Sequence, residues 1–138
     1  MKAKNPYNTN LASEFHVMSM LHRKGFEPYL SLGNKKKVDI IITDKSNQFI
    51  TIDVKGVIGS YDWTLGSKSP LVSKYHYIIL VRYNKIEGFD QLPEFYIIPS
   101  IDIGKLGKQY SNRYNVSNTK KNRGKLLKYQ NWGILTPK

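Results

Sequence analysis

Residues 38–55 read VDIIITDKSNQFITIDVK, and this stretch decides the fold that we expect for the chain. Two arms rich in β-branched and aromatic residues, 37–43 and 48–55, flank the polar turn 44–47, which is the pattern of a β-hairpin. Within this stretch, the arms also carry the ionisable side chains of Asp39, Asp53 and Lys55. Because burying an unpaired charge is costly, these groups should lie either at a solvated edge or around a compensating metal ion or phosphate.

Strand pairing decides whether these three side chains meet. One register leaves a short turn and pairs Ile41 with Thr51. The same register sets Asp39 opposite Asp53, whereas a slip of one residue would send Asp39 to the other face of the sheet. Because side chains alternate along a strand, Lys55 shares the face of Asp53. Opposed carboxylates repel each other, so the arrangement needs a cation between them.

Two converging carboxylates have a definite chemistry. Asp39 and Asp53 would form a hard-ligand site of the kind that Mg²⁺ or Mn²⁺ prefers, and the carbonyl of Val54 is a further candidate ligand. Lys55 then has the charge and the place to orient or deprotonate an attacking water, or to stabilise charge that develops on a phosphoryl group. The hairpin therefore predicts a metal-dependent site acting on phosphate esters.

A helix is expected over about residues 10–24, with Gly25 ending it. The apolar residues that recur at helical spacing are Leu11, Phe15, Met18 and Leu21. Glu14 falls on this apolar stripe. If Asn10 caps the helix, Glu14 is one residue past the position from which a capping-box glutamate reaches back. Glu14 either complements the helix dipole or contributes to a site, and both interpretations stay open.

Further segments have the composition of strands, at 26–31, 75–83 and 95–98. The nearly continuous apolar run in 75–83 predicts a central strand covered on both faces. With the hairpin, these segments form a mixed sheet of about five strands, flanked by the first helix and a C-terminal element over 125–135. We therefore expect an α/β architecture in a single domain spanning residues 1–138.

Composition favours a polyanionic partner. The chain of 138 residues has 22 Lys+Arg against 10 Asp+Glu, a formal net charge of +12. The alternative is that the basic charge serves only solubility. The absence of cysteine excludes disulfides and thiolate metal sites. The sequence start lacks a signal peptide and no apolar run reaches membrane-spanning length, so we expect a soluble, cytoplasmic protein with no membrane partner.

Basic residues concentrate in the last third of the chain, where no acidic residue follows Asp102. We expect the segment 105–124 to be a mobile loop or arm, and residues 59–74 to form an exposed loop. The lysine triplet at 35–37 is either a solvated face or a grip on a phosphate backbone. The candidates for nucleic-acid contacts are Lys35, Lys36, Lys37, Trp63, Lys68, Lys120, Lys121 and Arg123.

Over about residues 11–82, the chain resembles the PD-(D/E)XK nuclease superfamily, which includes restriction endonucleases and Holliday junction resolvases. The resemblance rests on a helix bearing Glu14, on Val38-Asp39, and on Ile52-Asp53-Val54-Lys55. It implies a restriction endonuclease-like fold in which Asp39 and Asp53 bind Mg²⁺ and Lys55 assists the water. By the same resemblance Glu14 would join the metal shell.

Two features depart from that family's pattern. Val38 replaces the proline of the family name, a harmless change because this residue supplies no ligand. A helix is usual after the lysine-bearing strand, yet residues 56–74 contain Gly59, Gly66 and Pro70 and show weak helical periodicity. This region therefore holds either a short helix or a remodelled substrate loop.

The expected function is a Mg²⁺-dependent endodeoxyribonuclease, and a homodimer would suit symmetric cuts in a duplex. One alternative is a non-catalytic nucleic-acid-binding module on the same fold. Another is a basic structural or ribosome-associated protein, which predicts that Asp39 and Asp53 lie on opposite faces or far apart. The three histidines, His16, His22 and His76, are too scattered for a zinc motif, and we interpret His76 as a core or surface residue.

Overall fold

A computed structural model describes residues 6–31, 38–84 and 91–135, and the apolar runs of the sequence form its strands. The strands are β1 (Tyr29–Leu30), β2 (Ile40–Thr43), β3 (Phe49–Ile58), β4 (Trp63–Thr64), β5 (His76–Tyr83), β6 (Glu94–Pro99), β7 (Gly107–Gln109) and β8 (Tyr114–Val116). The helices are α1 (Pro6–Arg23), α2 (Ile103–Leu106) and α3 (Lys120–Leu126), with 3-10 turns at Ser100–Asp102, Leu127–Tyr129 and Trp132–Leu135. Among these residues, no helix combines the length and the apolar character that crossing a membrane requires.

Five of the strands form a mixed central sheet in the order β1-β2-β3-β5-β6. β3 runs parallel to β5, and the other neighbouring strands of this sheet are antiparallel. β5 is buried along most of its length because both of its faces are covered, as its continuous apolar run indicated. This arrangement confirms the expected α/β architecture with a mixed sheet of about five strands.

The hairpin of β2 and β3 pairs in the expected register. The paired residues are Ile40 with Ile52, Ile41 with Thr51, Ile42 with Ile50 and Thr43 with Phe49. In the turn, Oδ1 of Asp44 accepts hydrogen bonds from the backbone N–H groups of Ser46 and Gln48, at 2.8 and 2.9 Å. These bonds close the turn, and a closed turn fixes which residues of the two arms face each other.

One face of the central sheet packs against α1. Val17 and Leu21 of the helix are fully buried against residues of β2 and β3 that point to the same face. Those residues are Ile40, Ile42, Ile50, Ile52 and Val54. Because full burial of an aliphatic side chain contributes about 1.5–3 kcal/mol, this interface fixes the position of α1 on the sheet.

The other face of the central sheet carries a second layer. It contains a small sheet in the order β4-β8-β7, together with α2, α3 and the turn after it. Ile78 and Leu80 of β5 pack against this layer. Within the described residues, β2 takes no part in that cluster, so the face over β2 and β3 is left with the half-buried side chains of Ile41, Thr51 and Asp53.

Trp63 corrects one expectation from the sequence. It was expected in an exposed loop and as a nucleic-acid contact, but its side chain is 0% exposed. The indole Nε1–H donates to the carbonyl of Val81 at 3.1 Å, and the ring meets Tyr96 edge-on with centroids 5.8 Å apart. Burying so large an apolar surface with its single donor satisfied is favourable, so Trp63 serves the core and cannot contact a nucleic acid.

The basic segment 105–124 also differs from expectation. Instead of a loop or arm, it carries the end of α2, the β7–β8 hairpin and the start of α3. Tyr114 and Val116 are buried in the second layer, and the Tyr114 hydroxyl donates to the carbonyl of Ile103 at 3.1 Å. A few buried side chains thus anchor a basic segment whose other residues are mostly polar and exposed, which is why composition alone indicated a loop.

The C-terminal element returns to the body of the domain, as expected. Leu126 and Leu135 are fully buried, whereas Leu127 is 60% exposed. The change from α-helix to 3-10 turn alters the spacing, and Tyr129 takes the inward position instead. Burial and a 2.9 Å hydrogen bond to Asp102 raise the pKa of Tyr129 to about 12.

Gly56 brings α1 unusually close to β3. A Cβ atom at Gly56 would lie 1.7 Å from Oγ and 2.8 Å from Cβ of Ser13. The side chain of Asn10 also reaches the strand, because its Oδ1 accepts a 3.0 Å hydrogen bond from the N–H of Gly56. The helix can cross the strand at this point only because residue 56 lacks a side chain, and this crossing sets the position of Glu14.

We expect Gly56→Ala to destabilise the protein by about 1–3 kcal/mol or more, because the methyl group overlaps α1. Urea unfolding of the variant measures this directly. Gly124→Ala in α3 is the matched control: a Cβ there meets nothing within 4 Å. Because alanine is the better helix former, the control should gain up to about 1 kcal/mol. Equal stabilities for the two variants would contradict this packing.

Candidate active site

Asp39 lies just before β2 and is hydrogen-bonded to β3 through both its side chain and its backbone. β2 begins only at Ile40, and Oδ2 of Asp39 accepts a 2.7 Å hydrogen bond from the N–H of Val54. The backbone N–H of Asp39 still donates to the carbonyl of Ile52, at 3.1 Å. The carboxylate is therefore held beside the peptide that joins Asp53 to Val54.

Asp53 lies on the face of the central sheet opposite α1, because Ile52 and Val54 on either side of it face the helix. Its side chain is 28% exposed, and Oδ2 lies 3.1 Å from Nε2 of His76. Lys55, two residues further on, is half-buried on the same face. The structure thus brings Asp39, Asp53 and Lys55 to one stretch of β3, although the roles of these residues stay predictions.

His76 is buried, as the sequence indicated, but its position beside Asp53 was not predicted. It is 2% exposed, and its Nδ1 lies 2.7 Å from Oγ1 of Thr51, its register partner across the parallel strands. The sequence around a histidine in an apolar strand does not indicate which side chains it contacts. Only the parallel pairing of β3 with β5 shows that residue 76 lies beside Asp53, and sequence spacing does not provide that register.

Glu14 lies on the face of α1 that packs against β3, next to Ser13, and is 6% exposed. Ordinary exposed capping therefore does not account for it. Within the described residues, however, no three acidic, histidine or cysteine side chains form a ready-made metal cluster. The structure shows that Glu14 faces inward, and its role as a metal ligand stays a prediction.

The donor atoms near Asp53 suit a hard divalent cation. Asp39 and Asp53 supply carboxylate oxygens, and the carbonyl of Val54 adds a neutral oxygen. The N–H of Val54 points to the edge where β2 has ended, and in a strand the carbonyl of the same residue points to the same side. An all-oxygen set of this kind fits Mg²⁺ or Mn²⁺, and the nearby Nε2 of His76 is already hydrogen-bonded to Asp53.

The expected nucleic-acid contacts are distributed unevenly. Lys68, Lys120 and Lys121 are exposed, whereas Arg123 is half-buried and donates from Nη1 to the backbone and side-chain oxygens of Asn118 at 2.5 and 2.9 Å. Arg123 therefore also stabilises the start of α3. The lysine triplet, Lys35, Lys36 and Lys37, lies outside the described residues.

The β7–β8 hairpin presents a further basic surface, which we call the cationic hairpin and define by Lys108, Tyr110 and Arg113. Tyr110 is 41% exposed, with Nζ of Lys108 5.5 Å and Cζ of Arg113 5.4 Å from its ring centroid. The N–H of Tyr110 donates to the carbonyl of Arg113 at 2.7 Å, which closes the turn. The hairpin belongs to the second layer, so it lies on the same side of the central sheet as Asp53.

Comparison with known proteins bears on the fold. No protein-family model matches this chain, and no curated protein does. Among solved structures, the chain is similar to the bacterial homing endonuclease I-Ssp6803I, with a TM-score of 0.51 and 13% sequence identity. The alignment covers 83% of this chain and 80% of that one. At this identity the likeness concerns the fold, so this chain has an α/β fold of the kind found in an endonuclease.

Proposed function

We propose that this protein is a metal-dependent endonuclease of the PD-(D/E)XK type that hydrolyses phosphodiester bonds in DNA. The observation that carries the proposal is the meeting of Asp39, Asp53 and Lys55 on one stretch of β3. The fold likeness to a homing endonuclease supports the same reaction class. The basic second layer on the same side of the sheet supports a polyanionic substrate.

In this proposal Asp39 and Asp53 hold Mg²⁺ or Mn²⁺, the carbonyl of Val54 is a further ligand, and Glu14 assists from α1. When bound, the ion would offset negative charge on the scissile phosphate and favour ionisation of the attacking water. The hydrogen bond from Val54 to Asp39 orients that carboxylate before any ligand arrives. Preorganisation of this kind lowers the cost of binding the ion.

Lys55 contributes a positive charge two residues from Asp53 and on the same face. The half-buried Lys55 is proposed to hold its ammonium group near the cleaved bond. From there it can orient the attacking water, or donate to the phosphate oxygens as their charge increases in the transition state. Neither role requires a change in the backbone.

The DNA is proposed to lie across the side of the central sheet opposite α1. Lys68, Lys120 and Lys121 are exposed in or beside the second layer on that side, and the cationic hairpin adds a stacking surface and two charges. Arginine and lysine in such positions contact phosphates, and a two-stranded ribbon has the dimensions of the major groove. A homodimer would place two such sites on a duplex, and we retain it as part of the proposal.

The alternatives are less well supported by the geometry. A structural or ribosome-associated protein was expected to have its two hairpin acids on opposite faces or far apart, but Asp39 contacts the peptide that follows Asp53. A binding module without catalysis would have no reason to keep both acids and Lys55 together. A DNA-cleavage assay separates this module from a nuclease.

We expect the protein to nick supercoiled DNA with Mg²⁺ and not with chelator. Asp39→Asn, Asp53→Asn and Lys55→Met should each reduce the rate by about 100-fold or more, since each removes a charge needed at the phosphate. Asparagine at residue 39 can still accept the hydrogen bond from Val54. A lower cleavage rate of Asp39→Asn would therefore not come from unfolding. Glu27→Gln, an exposed change of the same charge, is the control. Cleavage in chelator, or undiminished cleavage by Asp53→Asn, would refute the proposal.

The cationic hairpin is expected to contribute to DNA affinity in chelator, where no cleavage occurs. The double variant Lys108→Gln/Arg113→Gln should lower the slope of log K against log salt by about 1.8, because each lost phosphate contact removes about 0.9. The control, Arg23→Gln/Lys24→Gln, removes the same charge from exposed positions at the end of α1, on the other side of the sheet. Equal effects of the two double variants would show that only net charge matters.

A further inference from the structure

We propose that His76 is a positioning residue for Asp53 and that Thr51 in turn orients His76. This inference rests on the proposed function, because it concerns the carboxylate expected to hold the metal ion. It gives a role to a buried histidine of β5, which lies outside the hairpin that carries the two acids.

Thr51, His76 and Asp53 are joined by a continuous chain of hydrogen bonds. Oγ1 of Thr51 lies 2.7 Å from Nδ1 of His76, and Nε2 of the same ring lies 3.1 Å from Oδ2 of Asp53. The ring is 2% exposed, so water does not compete for either nitrogen. Thr51 and Asp53 are two residues apart on the same face of β3, and His76 spans them from the neighbouring strand.

Hydrogen-bond chemistry gives this chain a direction. An ionised carboxylate can only accept, so Nε2 of His76 must carry the hydrogen that it donates to Asp53. In the neutral imidazole, Nδ1 is then an acceptor, and the hydroxyl of Thr51 donates to it. The alternative acceptor for that hydroxyl, the carbonyl of Tyr75, is 3.5 Å away and makes a much weaker bond.

This hydrogen-bond chain fixes the orientation of the Asp53 carboxylate. One oxygen, Oδ2, is held towards β5, and within the described residues the other oxygen, Oδ1, has no hydrogen bond. The rotation of the carboxylate is therefore fixed with one oxygen left for a ligand. Removing a partner that orients a metal ligand typically weakens metal affinity by about 10- to 100-fold.

The same protein contains a matched control for the bond between Thr51 and His76. His16 and Tyr83 make an equivalent pair, with Nδ1 of the histidine 2.7 Å from the phenol oxygen. Burial raises the pKa of Tyr83, so its hydroxyl keeps its proton at neutral pH. Thr51→Val and Tyr83→Phe each delete one hydroxyl bonded to a histidine, and only the first lies in the chain that reaches Asp53.

The test is Mn²⁺ binding by the intact protein without DNA, measured by electron paramagnetic resonance. Thr51→Val should raise the dissociation constant by about 10-fold, His76→Leu should raise it by about 10- to 100-fold, and Tyr83→Phe should leave it unchanged. His76→Gln, whose amide can still donate to Asp53, should recover part of the affinity lost in His76→Leu. Thermal unfolding of each variant separates this effect from a loss of fold.

A second readout needs no metal. The ¹⁵N shifts of the His76 ring should show a hydrogen on Nε2, and Thr51→Val should shift the Nδ1 signal. A ring protonated at Nδ1 alone, or variants that bind Mn²⁺ as tightly as the unaltered protein, would overturn this inference while leaving Mg²⁺-dependent cleavage intact. If the unaltered protein neither binds Mn²⁺ nor cuts DNA, the proposed function fails, and with it the metal-positioning role of His76.

Discussion

The pairing register of the β2–β3 hairpin is the constraint on which the rest of the structure depends. With Ile40 opposite Ile52, every second residue of β3 is committed to the face under α1, and Asp53 is committed to the other face. A slip by one residue would exchange the two sets and put charges under the helix. Only this register places apolar side chains under the apolar face of α1 and keeps the acids of the hairpin away from it.

The register also explains why the site lies at an edge. β2 begins at Ile40, and beyond that point the edge of β3 is satisfied by side chains: Asp39 accepts from Val54, and Asn10 accepts from Gly56. An unpaired strand edge is costly when buried, so these two side chains are structural as well as available to function. The second layer covers β5 and β6 and leaves this edge accessible.

Much of this architecture could be predicted from sequence, because apolar periodicity and turn chemistry are local signals. They predicted the strands of the central sheet, the first helix and the shared face of Asp53 and Lys55. Trp63 was misjudged, and the contacts of His76 were not predicted, for a different reason. Their surroundings come from strands far away in the chain, β8 for Trp63 and β3 for His76, and no local pattern encodes such contacts. The ordered 105–124 segment was missed because a few buried residues outweigh its many lysines.

We propose that Asp39 and Asp53 share one divalent cation. A crystal structure of the protein with Mn²⁺, using the anomalous signal of the metal, tests it most directly. We expect a single strong peak within about 2.0–2.5 Å of a carboxylate oxygen from each aspartate. A peak bound to only one of them, or to neither, would contradict it.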